Sequence, residues 1–168
     1  MSNMIQVPVI VPLPSGVDVF MPTGEEFETF WTEIEQYDTL FGNDYMHDKK
    51  RYQGVLLKAD TVPLRFDGGY AIFSALRPEL TCEVHPIFLD RKMSVHADLF
   101  RSILTWMFLQ YRLLRIETFI GEYAHSVKRF TVKKMGFVHE GTLRDRIIHR
   151  GTPMNVDVYS ILRGEVLE

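Results

Sequence analysis

A proline lies in the middle of a strand-like run of the sequence. The run Thr81–Leu89 (TCEVHPIFL) has the character of an extended segment, and Pro86 interrupts it. Because proline has no backbone N–H to give to a neighbouring strand, regular pairing must be broken there by a bulge or by a splayed strand edge. The chain therefore needs a sheet in which one strand is only partly paired.

The rest of the sequence alternates between strand and helix patterns. Thr23 and Glu26 have the spacing of a capping box, and the apolar residues that follow have helical spacing to about Tyr37. Asp67–Gly69 is typical of the connection in an antiparallel hairpin, and Gly136 is expected to end a helix. The predicted strands are Ile5–Val11, Val55–Ala59, Tyr70–Leu76, Thr81–Leu89, Ile116–Ile120 and Val156–Leu162, and the predicted helices are Thr23–Tyr37, Ala97–Gln110 and Ala124–Met135.

This order of elements predicts an α/β (α+β) fold. We expect a mixed, mostly antiparallel sheet of six to seven strands with helices on both faces. Because 46% of the 168 residues are apolar and the net charge is −3, residues 1–168 are expected to form one domain. Cys82 is the only cysteine, which excludes an intramolecular disulfide and a four-thiolate zinc site. The six histidines are scattered, and we expect no metal site.

Neither a membrane span nor an export signal is expected. In the most apolar region, the run without charged residues, Ser102–Tyr111, is about half as long as a bilayer crossing needs. The N-terminal residues lack a positively charged start and contain three prolines, so we expect a cytoplasmic protein. The acidic balance argues against bulk nucleic-acid binding, although one basic cluster suits a local anion. That cluster consists of Lys128, Arg129, Lys133 and Lys134.

Three stretches of the second half have a characteristic order and spacing. The first is Arg91–His96, which follows Val84–Pro86. The second is Lys134–Gly141 (KMGFVHEG) with Leu143–Asp145 after it, and the third is Asp157–Arg163 (DVYSILR). Together they resemble the GNAT superfamily of N-acetyltransferases, and within it the branch that acetylates N-terminal amines of ribosomal proteins. The resemblance covers roughly residues 54–165.

The resemblance implies acetyl-coenzyme A (acetyl-CoA) as the acyl donor and a sheet splayed between its fourth and fifth strands. In that superfamily the pantetheine arm pairs with the fourth strand, and the pyrophosphate meets backbone N–H groups at the start of the next helix. Carried over residue by residue, it implies that the backbone near Val84 and His85 lies closest to the acetyl group. The implied donor-binding residues are Ile87, Phe88, Leu89, Arg91, Lys92, Met93, Ser94, Val95, His96, Ala97, His125 and Lys128.

The donor loop departs from the superfamily pattern at two positions. Ser94 and His96 stand where glycines usually let the backbone approach the pyrophosphate closely. Either the His96 imidazole contacts a phosphate, or it fills the cleft and prevents binding. We expect a retained but weaker anion site, because Arg91 and Lys92 add positive charge beside it. Without the downstream matches, these residues would indicate only a solvated turn and a helix cap.

Four side chains are candidates for the chemistry. Acetyl transfer needs a base for the proton of the amine, and an acid near the departing thiolate helps. Glu83 and His85 share one face of a strand, so the carboxylate can hold the imidazole in the tautomer that accepts a proton; a solvent-facing pair explains them equally well. Glu117 is the other candidate carboxylate. The superfamily's tyrosine acid is Val132 here, which leaves Tyr123 as the candidate acid or as a packing residue.

Two functions are consistent with these residues. The first is an acetyl-CoA-dependent N-acetyltransferase that acts on a primary amine of a protein N-terminus or of a small molecule. The second is a catalytically inactive relative that serves as a binding or assembly module, including as a homodimer. His96, Val132 and His125, which replaces an asparagine of the superfamily, favour the second function. The combined motif pattern favours the enzyme.

Overall fold

The structure is a computed structural model that describes residues 11–90 and 92–167. Short 3₁₀ helices span Asp38–Leu40, Asp44–Met46 and Met93–His96. The strands are β1 (Val17–Val19), β2 (Val62–Phe66), β3 (Gly69–Arg77), β4 (Thr81–Phe88), β5 (Arg115–Gly121), β6 (Val138–His149) and β7 (Thr152–Leu162), and the helices are α1 (Gly24–Ile34), α2 (Lys49–Leu56), α3 (Ala97–Gln110), α4 (His125–Lys133) and α5 (Arg163–Leu167).

One mixed sheet organises these elements. The strand order is β1-β2-β3-β4-β5-β7-β6. Among the described residues β4 and β5 are parallel, and every other strand pair is antiparallel. This confirms the predicted mixed, mostly antiparallel sheet of six to seven strands and its α/β class. None of the described helices is long and apolar enough to span a membrane.

Helices cover both faces of the sheet, but one face only in part. On the first face, Phe100, Leu104 and Met107 of α3 pack against Cys82 and Val84 of β4. On the second face, α1 and α2 cover β3 and the end of β4 through an aromatic cluster. Because side chains alternate along a strand, Glu83 and His85 lie on this second face, outside the part that α1 and α2 cover. The members of the aromatic cluster include Phe27, Phe30, Trp31, Tyr52, Tyr70, Ile72 and Ile87.

The predicted strand Val55–Ala59 is wrong, because these residues end α2 and continue into the following turn. Asp48 caps this helix by accepting a hydrogen bond from the Arg51 N–H at 2.8 Å, and Tyr52 and Leu56 bury one face of it. The first strand of the predicted hairpin is instead β2. The turn before β3 contains Gly68, whose φ of +92° suits a glycine.

The hydrogen bonds of the predicted capping box do not form. Thr23 occupies the N-cap position of α1, but its hydroxyl makes no capping hydrogen bond. Glu26 instead accepts a hydrogen bond from the N–H of Met21 at 2.7 Å. The helix ends at Ile34, shorter than predicted. Of the predicted strand Ile5–Val11, all but Val11 lie outside the described residues, and Arg91 lies outside them as well.

The close approach of β3 to β4 at Gly69 gives a stability prediction. A Cβ at this position would lie 2.1 Å from the Ile87 carbonyl oxygen and 2.9 Å from the Phe66 ring. We expect Gly69→Ala to lower the free energy of unfolding by about 1–3 kcal/mol or more, because the backbone of β4 must move. The measurement is unfolding in urea.

Gly54, in α2, is the matched control. A Cβ there meets nothing within 4 Å. Gly54→Ala should stabilise the protein by about 0.5–1 kcal/mol, because alanine loses less backbone entropy than glycine in a helix. Equal effects of the two substitutions would contradict the packing described at Gly69.

Candidate active site

β4 and β5 separate after three paired residues. Thr81, Cys82 and Glu83 pair with Arg115, Ile116 and Glu117, and the described part of these strands forms no further pair. The gap opens into a cleft of about 340 Å³. The cleft is lined from β4 by Glu83, His85 and Pro86, from β5 by residues 118–121, from the region of α4 by Tyr123, Ala124 and Val127, from the chain after α1 by residues 39–43, and from β6 and β7 by Arg146, Ile147 and Val156.

Glu83 and His85 both line this cleft, as the two-residue period of a strand predicts. The Glu83 Oε2 and His85 Nε2 atoms are 3.6 Å apart, and the two side chains are 32% and 41% exposed. The same Nε2 lies 3.1 Å from the Oγ of Ser74 on β3. The cleft therefore contains an imidazole with a carboxylate beside it, both accessible to a molecule in the cleft.

Glu117 is a cross-strand neighbour of Glu83 but is engaged elsewhere. The Arg115 Nε donates a hydrogen bond to it at 3.1 Å, and another nitrogen of Arg115 donates to Glu140 at 3.0 Å. The Ser160 hydroxyl also donates to Glu140, and together Ser160 and Arg115 hold the pKa of the Glu140 carboxyl below its ordinary value. Glu117 thus belongs to an ion-pair network that ties β5 to β6, and Glu83 is the carboxylate nearer to an imidazole.

Tyr123 packs and also faces the cleft. Its ring stacks on His149 at 3.8 Å with an interplanar angle of 6°, and its hydroxyl donates to the Thr39 carbonyl at 3.3 Å. Burial, with a smaller contribution from the Asp38 charge, raises its pKa above the ordinary value. The hydroxyl therefore keeps its proton at neutral pH, which an acid in this cleft requires.

The loop before α3 satisfies much of its own hydrogen bonding. Asp90 Oδ1 accepts a hydrogen bond from the Lys92 N–H at 2.8 Å. The N–H groups of Val95 and Ala97 donate to the carbonyls of Lys92 and Ser94 in the 3₁₀ turn. Three backbone donors of the predicted pyrophosphate loop are therefore engaged within the loop itself.

The His96 imidazole is turned towards the β2–β3 turn. Its Nε2 lies 2.8 Å from Asp90 Oδ2, and its ring stacks on Phe88 with an interplanar angle of 16°. A Cβ on Gly68 would lie 2.7 Å from the ring, so Gly68 provides the space that the imidazole occupies. The hydrogen bond with the His96 imidazole, with a smaller contribution from the Lys92 N–H, holds the pKa of Asp90 below its ordinary value. The ring thus anchors the loop.

Solved structures share this architecture. No protein-family model matches the sequence, and no curated protein matches it. A GNAT-family acetyltransferase from Bacillus anthracis is 18% identical, with coverage of 89% of this chain and 95% of that chain and a TM-score of 0.63. The spermidine N-acetyltransferase from Vibrio cholerae in complex with CoA and spermine is 14% identical, with coverage of 92% and 100% and a TM-score of 0.69. A probable GNAT-family acetyltransferase from Chromobacterium violaceum is 17% identical, with coverage of 92% and 89% and a TM-score of 0.68. This is the GNAT fold.

Two further donor-binding candidates of the GNAT fold lie on α4. Lys128 Nζ is 2.6 Å from Asp157 Oδ2, and its hydrogen bond and charge help to hold the pKa of Asp157 below its ordinary value against the effect of burial. His125 begins α4 and is exposed. Lys128 therefore has to leave an ion pair before it can meet a phosphate, whereas His125 is free to turn.

A latch that the sequence analysis missed closes one side of the cleft. It consists of Asp38, Asp44, Arg150 and Gly151. Arg150 donates two hydrogen bonds to Asp38, at 2.6 and 3.1 Å, and the N–H groups of Arg150 and Gly151 donate to the two carboxylate oxygens of Asp44 at 2.9 and 2.8 Å. Both turn residues have positive φ, which directs their N–H groups to one side. The latch holds the cleft-lining residues 39–43 against the β6–β7 turn.

The latch gives a prediction for acid pH. The Arg150 guanidinium holds the pKa of Asp38 below its ordinary value, and the turn N–H groups do the same for Asp44. Such carboxyls stabilise the folded state above about pH 4 and lose this contribution as the pH falls through their lowered pKa values. The stability difference between the wild type and the D38N/D44N variant should therefore be constant near neutral pH and shrink below about pH 4.

Urea unfolding of both proteins from neutral pH to about pH 3 measures this difference. The exposed Asp60 lies outside the latch, and D60N is the control for the loss of a surface carboxyl. A difference between wild type and D38N/D44N that stays constant into acid would contradict the latch as an electrostatic contact.

Proposed function

We propose that this chain is an acetyl-CoA-dependent N-acetyltransferase that acts on a primary amine. The observation that carries the proposal is the cleft between β4 and β5, because it combines an unpaired backbone edge with an imidazole at the same opening. The GNAT fold supports it, and a spermidine N-acetyltransferase of this fold is known in complex with CoA and spermine. Fold alone does not establish activity, so the residues of the cleft carry the argument.

The open edge of β4 is suited to the pantetheine arm. Beyond Glu83, the described part of β5 does not pair with it, so Ile87 and Phe88 can offer backbone groups to an extended ligand, as in strand addition. The Leu89 N–H is already bonded to the Gly68 carbonyl at 2.9 Å. Leu89 therefore contributes its carbonyl or its side chain.

The phosphates fit the next loop less well. Arg91, Lys92 and the amide groups of residues 93–97 are the groups that would meet the pyrophosphate. Asp90 and carbonyl groups of the 3₁₀ turn already accept hydrogen bonds from several of these N–H groups. Binding of acetyl-CoA must therefore open the loop and displace Asp90. The expected result is a weaker donor site than an open glycine loop would give.

The side chains of the cleft can perform the proton transfers. When bound, the thioester supplies the carbonyl carbon that a neutral amine attacks; the C–N bond forms, the C–S bond breaks and the thiolate leaves. In our proposal His85 takes the proton that the amine loses, and Glu83 stabilises the imidazolium that forms. Tyr123 gives a proton to the departing thiolate. Glu117 is bound to Arg115 and transfers no proton in this proposal; it contributes only its charge to the site.

The motif resemblance favours a particular acceptor class. The stretches Lys134–Gly141 and Asp157–Arg163 resemble the branch that acetylates N-terminal amines of ribosomal proteins. In our proposal the acceptor is therefore a protein N-terminus, with a small amine as the alternative. A panel that contains an N-terminal peptide, spermidine and a lysine-containing peptide with a blocked N-terminus separates these acceptors.

A binding or assembly module is the second candidate function. The closed donor loop favours it, because Asp90 and His96 hold the loop in an arrangement in which donors for an anion are engaged. The Lys128–Asp157 ion pair favours it as well. An inactive module of this kind binds no acetyl-CoA, whereas the enzyme must bind it.

Calorimetry with acetyl-CoA separates the two functions. We expect measurable binding by the wild type and a loss of about 1–3 kcal/mol of binding free energy in Arg91→Ala, because a charged hydrogen bond to a phosphate is removed. Arg144→Ala, which replaces an exposed arginine of β6, is the matched control and should bind normally. Absence of binding heat at millimolar acetyl-CoA would contradict the enzyme and favour the binding or assembly module. Unchanged affinity of the Arg91 variant would remove this residue from the site.

Thiol release tests the role of His85. His85→Gln should lower kcat by about 10²- to 10⁴-fold without weakening acetyl-CoA binding, because the base is lost and the backbone edge of β4 remains. His139→Gln replaces a half-exposed histidine near Asp157 and should have little effect. A His85 variant with wild-type turnover would show that another group, or water, accepts the proton.

A further inference from the structure

Ser74 lies beside the proposed base, immediately before a β-bulge in β3. Ser74 pairs with Glu83, and the register then shifts before Arg77 pairs with Thr81. Ala75 has a φ of +49°, and the N–H of Leu76 bonds to the Asp60 carbonyl, away from β4. Here the last regularly paired residue of β3 is the one whose hydroxyl meets His85.

Two polar neighbours meet the same nitrogen of the His85 ring. Ser74 Oγ lies 3.1 Å from Nε2, and Glu83 Oε2 lies 3.6 Å from it. An anionic carboxylate favours a proton on the nitrogen nearer to it, and the serine oxygen can accept a hydrogen bond from that proton. The Nδ1 atom then carries the free lone pair. The geometry thus favours one neutral tautomer of His85.

We infer that Ser74 is a positioning residue, which holds the His85 ring with Nε2 protonated and Nδ1 available as the base. This inference rests on the proposed function and adds to it a residue that sequence reasoning did not select. Glu83 alone is less able to fix the ring, because its oxygen is beyond direct hydrogen-bond distance. Ser74 supplies the short contact, and the regular pairing of Ile72 with His85 and of Ser74 with Glu83 places its hydroxyl on the same face as the ring.

The three side chains do not form a nucleophilic triad. In such a triad the serine meets one ring nitrogen and the carboxylate meets the other, so that the imidazole can withdraw the hydroxyl proton. Here both oxygens lie at Nε2. The hydroxyl therefore orients the ring and is not activated by it.

Other charged groups near His85 leave this assignment intact. Glu83 on its own strand is the nearest anion, and Glu117 on β5 is engaged by Arg115, whose charge it shares with Glu140. From β6, Arg146 lines the same cleft, and Tyr123 faces it from the chain before α4. The positive charge of Arg146 opposes a proton on Nδ1, the ring nitrogen that neither Ser74 nor Glu83 contacts. It therefore acts in the same direction as Glu83 and Ser74.

The direct test is ¹⁵N NMR of the His85 ring in the protein without donor or acceptor, at a pH at which the ring is neutral. We expect the wild type to show Nε2 as the protonated nitrogen. Ser74→Ala should shift the signals towards a mixture of tautomers, and Ser74→Thr, which keeps the hydroxyl, should restore the wild-type pattern. Ser102→Ala, which removes an exposed hydroxyl on α3, is the control. A wild type with Nδ1 protonated, or a Ser74→Ala spectrum like that of the wild type, overturns the inference.

Turnover adds a second readout. Ser74→Ala should lower kcat by about 10- to 100-fold with unchanged acetyl-CoA affinity, and Ser74→Thr should recover most of the loss. Labelling of Ser74 by a fluorophosphonate would overturn the inference, because it would reveal an activated nucleophile. The ¹⁵N signals test which nitrogen of the His85 ring is protonated. Thiol release by the wild type tests whether the protein is an acetyltransferase. Failure of one is therefore distinguishable from failure of the other.

Discussion

The early end of pairing between β4 and β5 is the constraint on which the site depends. Three residue pairs join these parallel strands, and the strands then diverge before Pro86. Proline cannot donate a hydrogen bond to a strand on either side, so full pairing through this point is disfavoured by the sequence itself. The divergence creates the cleft and leaves the backbone edge of β4 open. It also places Glu83 and His85 where α1 and α2 no longer cover the sheet.

The proposed donor loop is ordered by side-chain contacts, although Ser94 and His96 stand where the GNAT pattern has glycines. His96 fills space that Gly68 leaves, stacks on Phe88 and meets Asp90. These contacts compensate locally for the missing glycine, but they also engage groups that an anion would need. In the proposed enzyme, order in the loop and affinity for a pyrophosphate are therefore opposed, and the charge of Arg91 and Lys92 has to offset the negative charge of Asp90.

The parts that local patterns determine could be predicted from the sequence. The bounds of α3 follow from its uninterrupted helical spacing, and the common face of Glu83 and His85 follows from the strand period. The strand predicted for Val55–Ala59 was wrong, because a short apolar run does not distinguish a strand from the end of a helix. The direction of the His96 ring could not be predicted, since it depends on Gly68 in another turn. The contact of Ser74 with His85 depends on the register in which β3 pairs with β4, which the approximate strand bounds from the sequence did not define.

The latch joins parts of the chain that are far apart in sequence. Asp44 and Arg150 are 106 residues apart, and Asp38 and Arg150 are 112 residues apart. Closing such a long loop costs entropy before any contact compensates for it, so these bonds are expected to form late in folding. During synthesis the wall of the cleft cannot be complete until the β6–β7 turn has left the ribosome. A nascent chain can thus build most of its sheet while it still lacks a finished cleft.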